Sequence, residues 1–273
     1  MFDYEKSAPL DIRQLGIEEK EGVEILDISY AFAEGLRVSA YLLMPPAGGR
    51  LAASVFLHGG EQDRSAFLVE ALALAKRGMV SLLLDEPSLL AMPRFTELEA
   101  ERERYLHIIL KLRRGLDLLT RMPEIDAARL GYVGLSFGAW MGGVLSGVER
   151  RVRTYILIAG MPRMTEIWRT STRPEVAEVR ESLTPQQWEA YLQATSAFDA
   201  IHYIGRATPA SLFFQFARRD GIISEEDALE FSRAASEPKR AEWYDAQHHD
   251  IHVNQQALQH RLEWLREHLR LAT

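Results

Sequence analysis

A serine between two glycines is the strongest chemical signal in the sequence. Gly134, Ser136 and Gly138 spell G-x-S-x-G inside "YVGLSFGAWMGG", directly after an apolar run and directly before a helical pattern. A serine at the tip of a sharp strand-to-helix turn is held in a strained backbone conformation, and side chains two positions away on either side would collide with their neighbours. The pattern therefore predicts that Ser136 is a nucleophile.

A second glycine-containing stretch can assist that serine. The segment "SVFLHGGEQDR" ends another apolar run in His58, Gly59 and Gly60. The glycines let the backbone turn back over the serine and aim an N–H at it, and the residue after a nucleophile of this kind supplies a second N–H. Gly60 and Phe137 are therefore the predicted oxyanion donors. We expect the side chain of His58 to order the loop and not to transfer protons.

Three of the eight histidines lie within five positions in "YDAQHHDIHVN". They are His248, His249 and His252, and an imidazole is the most common general base for a serine nucleophile. A histidine pair, or His248 with Asp250, could also supply part of a metal site, but nothing else nearby in the sequence completes one. The residues alone therefore leave the choice among the three histidines open, and they predict no metal.

The segments that must position these residues alternate between strand and helix patterns. "VEILDISYAF" and "LRVSAYLLMP" flank the turn-forming "AEGL" and predict an antiparallel hairpin. Apolar runs typical of strands buried on both faces follow: "LAASVFLHG", "MVSLLLDEP", "LGYVGLS", "VRTYILIAG", "PASLFFQFA" and the shorter "AEWYDA". Leucines spaced by three or four, at 112–119 and 258–269, predict helices between and after them. The fold class is α/β, with a mostly parallel sheet flanked by helices.

One segment interrupts the alternation. Residues 161–207 contain no predicted strand but two predicted helices, opened by "TRPEV" and "LTPQQW". In the second helix, Thr184 is the predicted N-cap and Gln187 its capping-box partner. We predict one domain over residues 1–273, with 161–207 as a small helical cap inserted in it.

Three tryptophans are candidates for contacting a substrate. Trp168 and Trp188 lie in the predicted cap, and Trp140 follows the glycine-flanked serine. Large aromatic side chains commonly line apolar pockets, and they equally commonly fill a core. Substrate binding is the assigned role for all three, with core packing as the alternative.

Composition excludes several classes of function. The chain has 273 residues, is 47% hydrophobic and carries a formal charge of -7 without a basic block, which argues against nucleic acid as a partner. The opening "MFDYEKSAPLDIRQ" has no apolar signal region, and no apolar run approaches the ~20 residues that cross a bilayer. We therefore expect a cytoplasmic protein without a membrane partner. The absence of cysteine excludes disulfides, thiolate ligands and a cysteine nucleophile.

Four segments together resemble the α/β-hydrolase superfamily, in particular its branch of dienelactone-hydrolase-like proteins and small serine esterases. They are "FLHGG", "ARLGYVGLSFGAWMGGVLSGVERRVRTYILIAG", "FFQFARRDGIISEEDA" and "EWYDAQHHDIHVNQQALQHRLEWLREHL", and the resemblance covers residues 23–269. Leu135, Ala217 and Gln247 depart from the common pattern. Dienelactone hydrolases use a cysteine nucleophile, so this chain is more similar to a serine esterase.

The resemblance implies the remaining site residues. The order in this fold is serine, acid, histidine, which points to Asp220 after the strand that follows the cap. The family pattern of a Tyr, then Asp-Ala-x, then the catalytic His maps Tyr244 ahead of His248 and favours that histidine as the base. A triad of Ser136, His248 and Asp220 would cleave carboxylic esters through an acyl-enzyme, without a metal or an organic cofactor.

Several alternatives remain at this point. An acyltransferase, a serine peptidase and a catalytically silent binding protein can share the same fold, because fold alone does not determine function. The expected partner is a small-molecule ester. The oligomeric state stays open, with a homodimer as one alternative.

Overall fold

The computed structural model describes residues 1–46, 48–87 and 93–271, except for the side chain of residue 175. Within these ranges nine strands form one sheet. The strands are β1 (Arg13–Lys20), β2 (Val23–Ala33), β3 (Leu36–Met44), β4 (Leu51–Leu57), β5 (Met79–Leu84), β6 (Ile125–Leu135), β7 (Val152–Ile158), β8 (Ser211–Arg219) and β9 (Lys239–Gln247). Their order across the sheet is β1-β2-β3-β5-β4-β6-β7-β8-β9. Every strand predicted from the sequence is present.

The sheet is antiparallel at one end and parallel over the rest. Strands β1, β2, β3 and β5 pair antiparallel in that order, whereas β5, β4, β6, β7, β8 and β9 pair parallel. The parallel part consists of the continuous apolar runs, and all residues of β4 and β5 are buried, as expected for strands covered on both faces. The carboxyl ends of β4, β6, β8 and β9 therefore meet at one edge of the sheet.

Helices cover both faces of this sheet. The described α-helices are α1 (Leu68–Ala75), α2 (Leu98–Arg121), α3 (Phe137–Val148), α4 (Met164–Thr170), α5 (Pro174–Ser182), α6 (Pro185–Thr195), α7 (Glu225–Ala234) and α8 (Gln255–Leu269). Successive side chains of a strand point to opposite faces. Val55 and Leu57 of β4 accordingly pack in the cluster that contains α2 and α3, while Phe56 packs in the cluster that contains α1 and α8. The predicted fold class is thereby confirmed.

The segment between β7 and β8 is helical. Residues 161–207, whose backbone the structure describes throughout, contain α4, α5, α6 and short 3-10 turns but no strand. The predicted N-cap and capping box of α6 are confirmed, because the Thr184 side chain accepts from the Gln187 N–H and the Gln187 side chain accepts from the Thr184 N–H. Helix α4 was not predicted, since its seven residues are too few for a helical period to stand out.

Strand β1 was also missing from the prediction. It pairs antiparallel with β2 at the edge of the sheet, and nearly all of its residues are exposed, including Leu15 and Ile17. A strand that buries neither face does not need the alternation by which a strand is recognised in a sequence.

No helix in the described part of the chain is both long and apolar enough to cross a membrane.

Candidate active site

Ser136 sits at a strained turn between β6 and α3. Its backbone has φ +51° and ψ −108°, a conformation that residues with a side chain rarely adopt. The flanking glycines make the turn possible, because a Cβ on Gly134 would overlap the backbone of Gly138, and a Cβ on Gly138 would overlap the carbonyl of Leu57. The Ser136 N–H donates to the Ile158 carbonyl at 2.7 Å, which ties the turn to the next strand.

The serine hydroxyl begins a chain of three hydrogen-bonded side chains. Oγ of Ser136 lies 2.8 Å from Nε2 of His248, and Nδ1 of His248 lies 2.8 and 3.0 Å from the two carboxylate oxygens of Asp220. In a neutral imidazole the proton is placed on Nδ1 by the carboxylate, so Nε2 is left to accept from the serine. The His248 and Asp220 side chains are only 5% and 6% exposed. The structure thus brings together the three residues predicted to form a triad.

Asp220 is held in place by the backbone that follows it. Its Oδ1 accepts from the N–H groups of Ile222 and Ile223 at 2.8 and 2.9 Å. The preceding residue, Arg219, pairs with Asp245 at 3.0 Å. The carboxylate of Asp220 therefore points inwards to the imidazole.

The other two histidines of the loop have different surroundings. His249 is exposed, and its ring meets the ring of His248 edge-on at 5.2 Å. His252 lies with Nε2 3.3 Å from Nε2 of Gln62. Within the described residues, no group of three or more His, Cys, Asp or Glu side chains is arranged to hold a metal ion.

His58 connects the ends of two strands through its ring. Nδ1 lies 2.7 Å from the Gly59 carbonyl, and Nε2 accepts from the Glu86 N–H at 3.0 Å. Burial lowers the pKa of His58, which favours the neutral ring that this pattern requires. Both ring nitrogens are occupied by backbone groups, so the side chain orders the loop of residues 58–62, here called the 58–62 loop.

The two predicted oxyanion donors lie beside the serine. Gly60 and Phe137 both line the cavity to which Ser136 belongs. Phe137 is the first residue of α3, so its N–H has no acceptor within the helix and lies at the positive end of the helix dipole. This position is suited to a developing negative charge on a substrate oxygen.

The cavity has a volume of about 360 Å³. One wall is apolar and is contributed by α4, α5 and the segment before α4, through Met161, Met164, Ile167, Trp168 and Val176. Arg104 of α2 also lines it, bonded to the carboxylate of Glu101. An apolar cavity with a few polar groups is the usual form of a small-molecule site.

Solved structures of esterases are similar in fold to this chain. No protein-family model matches the sequence, and no curated protein matches it. An acetyl xylan esterase from a Paenibacillus species is 18% identical with a TM-score of 0.78, over 95% of this chain and 90% of that chain. Acetyl xylan esterase 1 from a Thermoanaerobacterium species is 16% identical with a TM-score of 0.75, over 93% of this chain and 89% of that one. The chain has the α/β-hydrolase fold.

A third solved structure agrees with this assignment. A cold-adapted esterase from an Arctic intertidal metagenomic library is 16% identical with a TM-score of 0.67, over 93% of this chain and 97% of that one. The resemblance to the α/β-hydrolase superfamily seen in the sequence is confirmed at the level of the fold. Because identities this low do not extend to substrates, the chemistry must be argued from the residues of this chain.

Two tryptophans lie elsewhere in the α/β-hydrolase fold than expected. Trp140 is fully buried and packs edge-on against Tyr105 at 5.1 Å and Phe137 at 4.9 Å between ring centres. Trp188 stacks on Phe95, with 5.4 Å between ring centres, in a small apolar cluster. Both side chains pack the interior and are not part of the cavity wall, which corrects the substrate-binding role predicted for them. Trp168 does line the cavity.

Other residues of the site gave no usable signal in the sequence. Met161, Met164 and Ile222 line the cavity, yet an isolated apolar residue in a loop or short helix resembles any core residue. Gln62, the last residue of the 58–62 loop, contacts Gly59 and His252, yet it is likewise an ordinary polar residue in the sequence. Only the arrangement of strand ends in the α/β-hydrolase fold brings these side chains to the serine.

Proposed function

We propose that this protein is a serine hydrolase that cleaves carboxylic esters through an acyl-enzyme. One observation carries the proposal: Oγ of Ser136 lies 2.8 Å from an imidazole nitrogen whose other nitrogen is bonded to a buried carboxylate. This arrangement activates a hydroxyl that is otherwise a weak nucleophile. The strained backbone of Ser136 and the cavity beside it support the same reading.

The first half of the reaction forms the acyl-enzyme. Oγ of Ser136 attacks the ester carbonyl carbon while Nε2 of His248 accepts the hydroxyl proton. Asp220 stabilises the imidazolium that results and keeps the ring in position. The carbonyl oxygen becomes an oxyanion that accepts from the N–H groups of Gly60 and Phe137. As the tetrahedral intermediate collapses, His248 returns the proton to the leaving alcohol.

The second half releases the acid. A water molecule gives a proton to Nε2 of His248 and attacks the acyl carbon, and the same two N–H groups hold the second oxyanion. The bond to Oγ then breaks, and Oγ takes the proton back from His248. One ester and one water have become one acid and one alcohol, and the enzyme is restored without a cofactor.

The cavity supports a small or medium-sized ester as the substrate. Its volume of about 360 Å³ and its wall of methionine, isoleucine, valine and tryptophan side chains favour an apolar group on one side of the scissile bond. Two similar structures bear the name acetyl xylan esterase, which makes the acetyl ester the first acyl group to assay. We further propose that residues 161–207 form a cap over this cavity and select among substrates.

The proposal is tested with p-nitrophenyl esters of two to eight acyl carbons and a fluorophosphonate probe. Ser136→Ala should lower kcat by at least about 10³-fold and abolish labelling, because the nucleophile is gone. Ser146→Ala is the matched control, since Ser146 lies on α3, the helix that follows Ser136, and its hydroxyl donates to the Gly143 carbonyl at 2.7 Å. Full turnover in the Ser136 variant, or labelling of another residue, would contradict the proposal.

A further inference from the structure

The peptide group between Gly59 and Gly60 is held at its carbonyl end. The Gly59 carbonyl accepts from Nδ1 of His58 at 2.7 Å and from the Gln62 N–H at 3.3 Å. The peptide is trans, so the Gly60 N–H points away from those two donors. Whatever fixes the Gly59 carbonyl therefore also fixes the direction of the proposed oxyanion donor.

The side chain of Gln62 holds the preceding peptide group of the same turn, the one between His58 and Gly59. Its Oε1 accepts from the Gly59 N–H at 3.4 Å, which sets the orientation of the amide, because the opposite orientation would place two donors together. The Nε2 group of Gln62 then points at His252 and must donate to it at 3.3 Å. Gln62 is not among the residues that line the cavity.

His252 can accept that bond only as a neutral ring with Nε2 unprotonated. Burial and the nearby Arg261 guanidinium lower the pKa of His252, while Glu70, the His249 backbone and Asp250 act in the opposite direction. The net shift favours the neutral form, so the ring is an acceptor for the Gln62 amide near neutral pH. The ring also meets that of Phe67 in a T-shaped arrangement, with ring centres 6.5 Å apart.

The backbone of His252 is anchored by a buried ion pair. Arg261 of α8 is fully buried, donates to the His252 carbonyl at 2.6 Å and pairs with the Glu70 carboxylate of α1 at 2.7 Å. Arg261 also donates to Oε1 of Gln215 on β8 at 3.0 Å. These bonds join the loop after β9 to two helices and the sheet, so His252 offers Gln62 a fixed acceptor.

We infer that Gln62 and His252 are positioning residues that set the direction of the Gly60 N–H towards the oxyanion. The inference rests on the proposed function and deepens it. Neither side chain bonds to Ser136, His248 or Asp220 in the described structure, so both act on charge stabilisation and not on proton transfer. His252 thereby has a role distinct from that of His248, the proposed base.

The test compares two substitutions at His252. His252→Phe keeps a ring against Phe67 but removes the acceptor, whereas His252→Gln keeps an acceptor near the position of Nε2. Loss of a whole oxyanion donor lowers kcat by about 10²–10³-fold, so a donor that is only misdirected should lower it by about tenfold, with KM unchanged. The Gln variant should stay within about threefold of the wild type.

A transition-state analogue gives the second measurement. A trifluoromethyl ketone adds to the serine and forms an oxyanion, so its affinity for His252→Phe should fall by about the same tenfold as kcat/KM. Gln62→Leu should give the same loss and serves as a second variant should His252→Phe not fold. Melting temperatures of all variants are measured alongside.

Several outcomes would overturn the inference. The inference would be overturned by wild-type kcat in both His252→Phe and Gln62→Leu. An equal loss of kcat in the Phe and Gln variants of His252, or an unchanged affinity for the ketone, would also overturn it. Wild-type protein that hydrolyses no ester would overturn the proposed function itself, and the inference with it. Turnover that depends on Ser136 but not on Gln62 or His252 would overturn the inference alone.

Discussion

His248 differs from its two neighbours in the loop by what contacts its ring. A carboxylate lies at one nitrogen and a hydroxyl at the other, and the side chain is almost fully buried. His249 is exposed, and His252 bonds an amide. Three identical side chains within five positions therefore have three different chemical environments.

The first prediction concerns this difference. His248→Ala should lower kcat by about 10³-fold or more, because without an acceptor Ser136 keeps its proton and attacks slowly. His249→Ala is the control and should stay within about threefold of the wild type, since the exposed ring bonds neither Ser136 nor Asp220. Stopped-flow measurement of the p-nitrophenol burst separates acylation from later steps. A normal burst in the His248 variant would move the role of base to a neighbour.

The sequence predicted a nucleophile more firmly than it predicted a base. Gly134 and Gly138 mark the turn because only glycine fits next to the backbone there, and that constraint is visible in the residue types. The histidine loop carries no such constraint, and its spacing alone left three candidates. Trp140 was misassigned for a related reason: a position four residues after the serine does not tell which face of α3 the side chain occupies.

At the scale of elements, α4 supplies Met164, Ile167 and Trp168 to the apolar wall of the cavity. Trp168 of this helix lines the cavity, and its ring also meets Phe95 edge-on at 5.8 Å. Trp188 of α6 stacks on the same Phe95 from outside the cavity. Two tryptophans that look alike in the sequence therefore differ in whether a substrate can reach them.

The second prediction separates the two. Trp168→Ala should raise kcat/KM for p-nitrophenyl octanoate relative to the acetate by about fivefold or more, because the shorter side chain enlarges the apolar cavity. Trp188→Ala should leave that ratio within about twofold but lower the free energy of unfolding by about 3 kcal/mol or more, as for other buried aromatic truncations. The ratio comes from steady-state kinetics and the stability from urea titration. Equal changes of the ratio in both variants would contradict the prediction.

Strands were predicted from sequence better than short helices and edges. The apolar runs of β4 to β8 follow directly from burial on both faces, which forces nearly every residue to be apolar. Strand β1 is exposed, and α4 has only seven residues, so neither carries a pattern long or regular enough to detect. The cavity wall is built partly from α4, so the residues of the wall could not be predicted from the sequence for the same reason.

At the scale of the whole molecule, a buried charge network joins α2, α3 and the start of β7. Glu149, just after α3, bonds Arg151 at 2.7 Å and Arg113 of α2 at 3.2 Å. Burial alone would raise the pKa of Glu149, but the hydrogen bonds and charge of Arg151, with that of Arg113, outweigh it and lower the pKa to about 2. The folded state therefore binds this proton much more weakly than the unfolded chain does.

The third prediction follows from the sign of that shift. A depressed carboxyl pKa adds stability above the unfolded value near 4.5, and this stability is lost as the pH falls towards 2. Its size is about 3 kcal/mol at neutral pH. Glu149→Gln should lower the free energy of unfolding at pH 7 by about that amount, and the gap to the wild type should shrink below pH 4.5. Urea titrations between pH 7 and pH 3 measure it.

A matched control exists at the surface. Glu21 also pairs with a cation, Lys76, but both side chains are about half exposed, and such pairs contribute little. Glu21→Gln should therefore leave the stability curve unchanged at every pH. Parallel curves for wild type and Glu149→Gln, with a constant gap down to pH 3, would contradict the role given to Glu149.

The order of the strands has a consequence for when the proposed activity can begin during synthesis of the chain. The serine leaves the ribosome with β6, but its partner histidine lies 112 residues later, after the strand at the far edge of the sheet. At ordinary translation rates of about 5–20 residues per second, that interval lasts roughly ten seconds. We expect the nascent chain to carry an unactivated hydroxyl throughout that time, so that it cannot attack esters in the cell before β9 has docked.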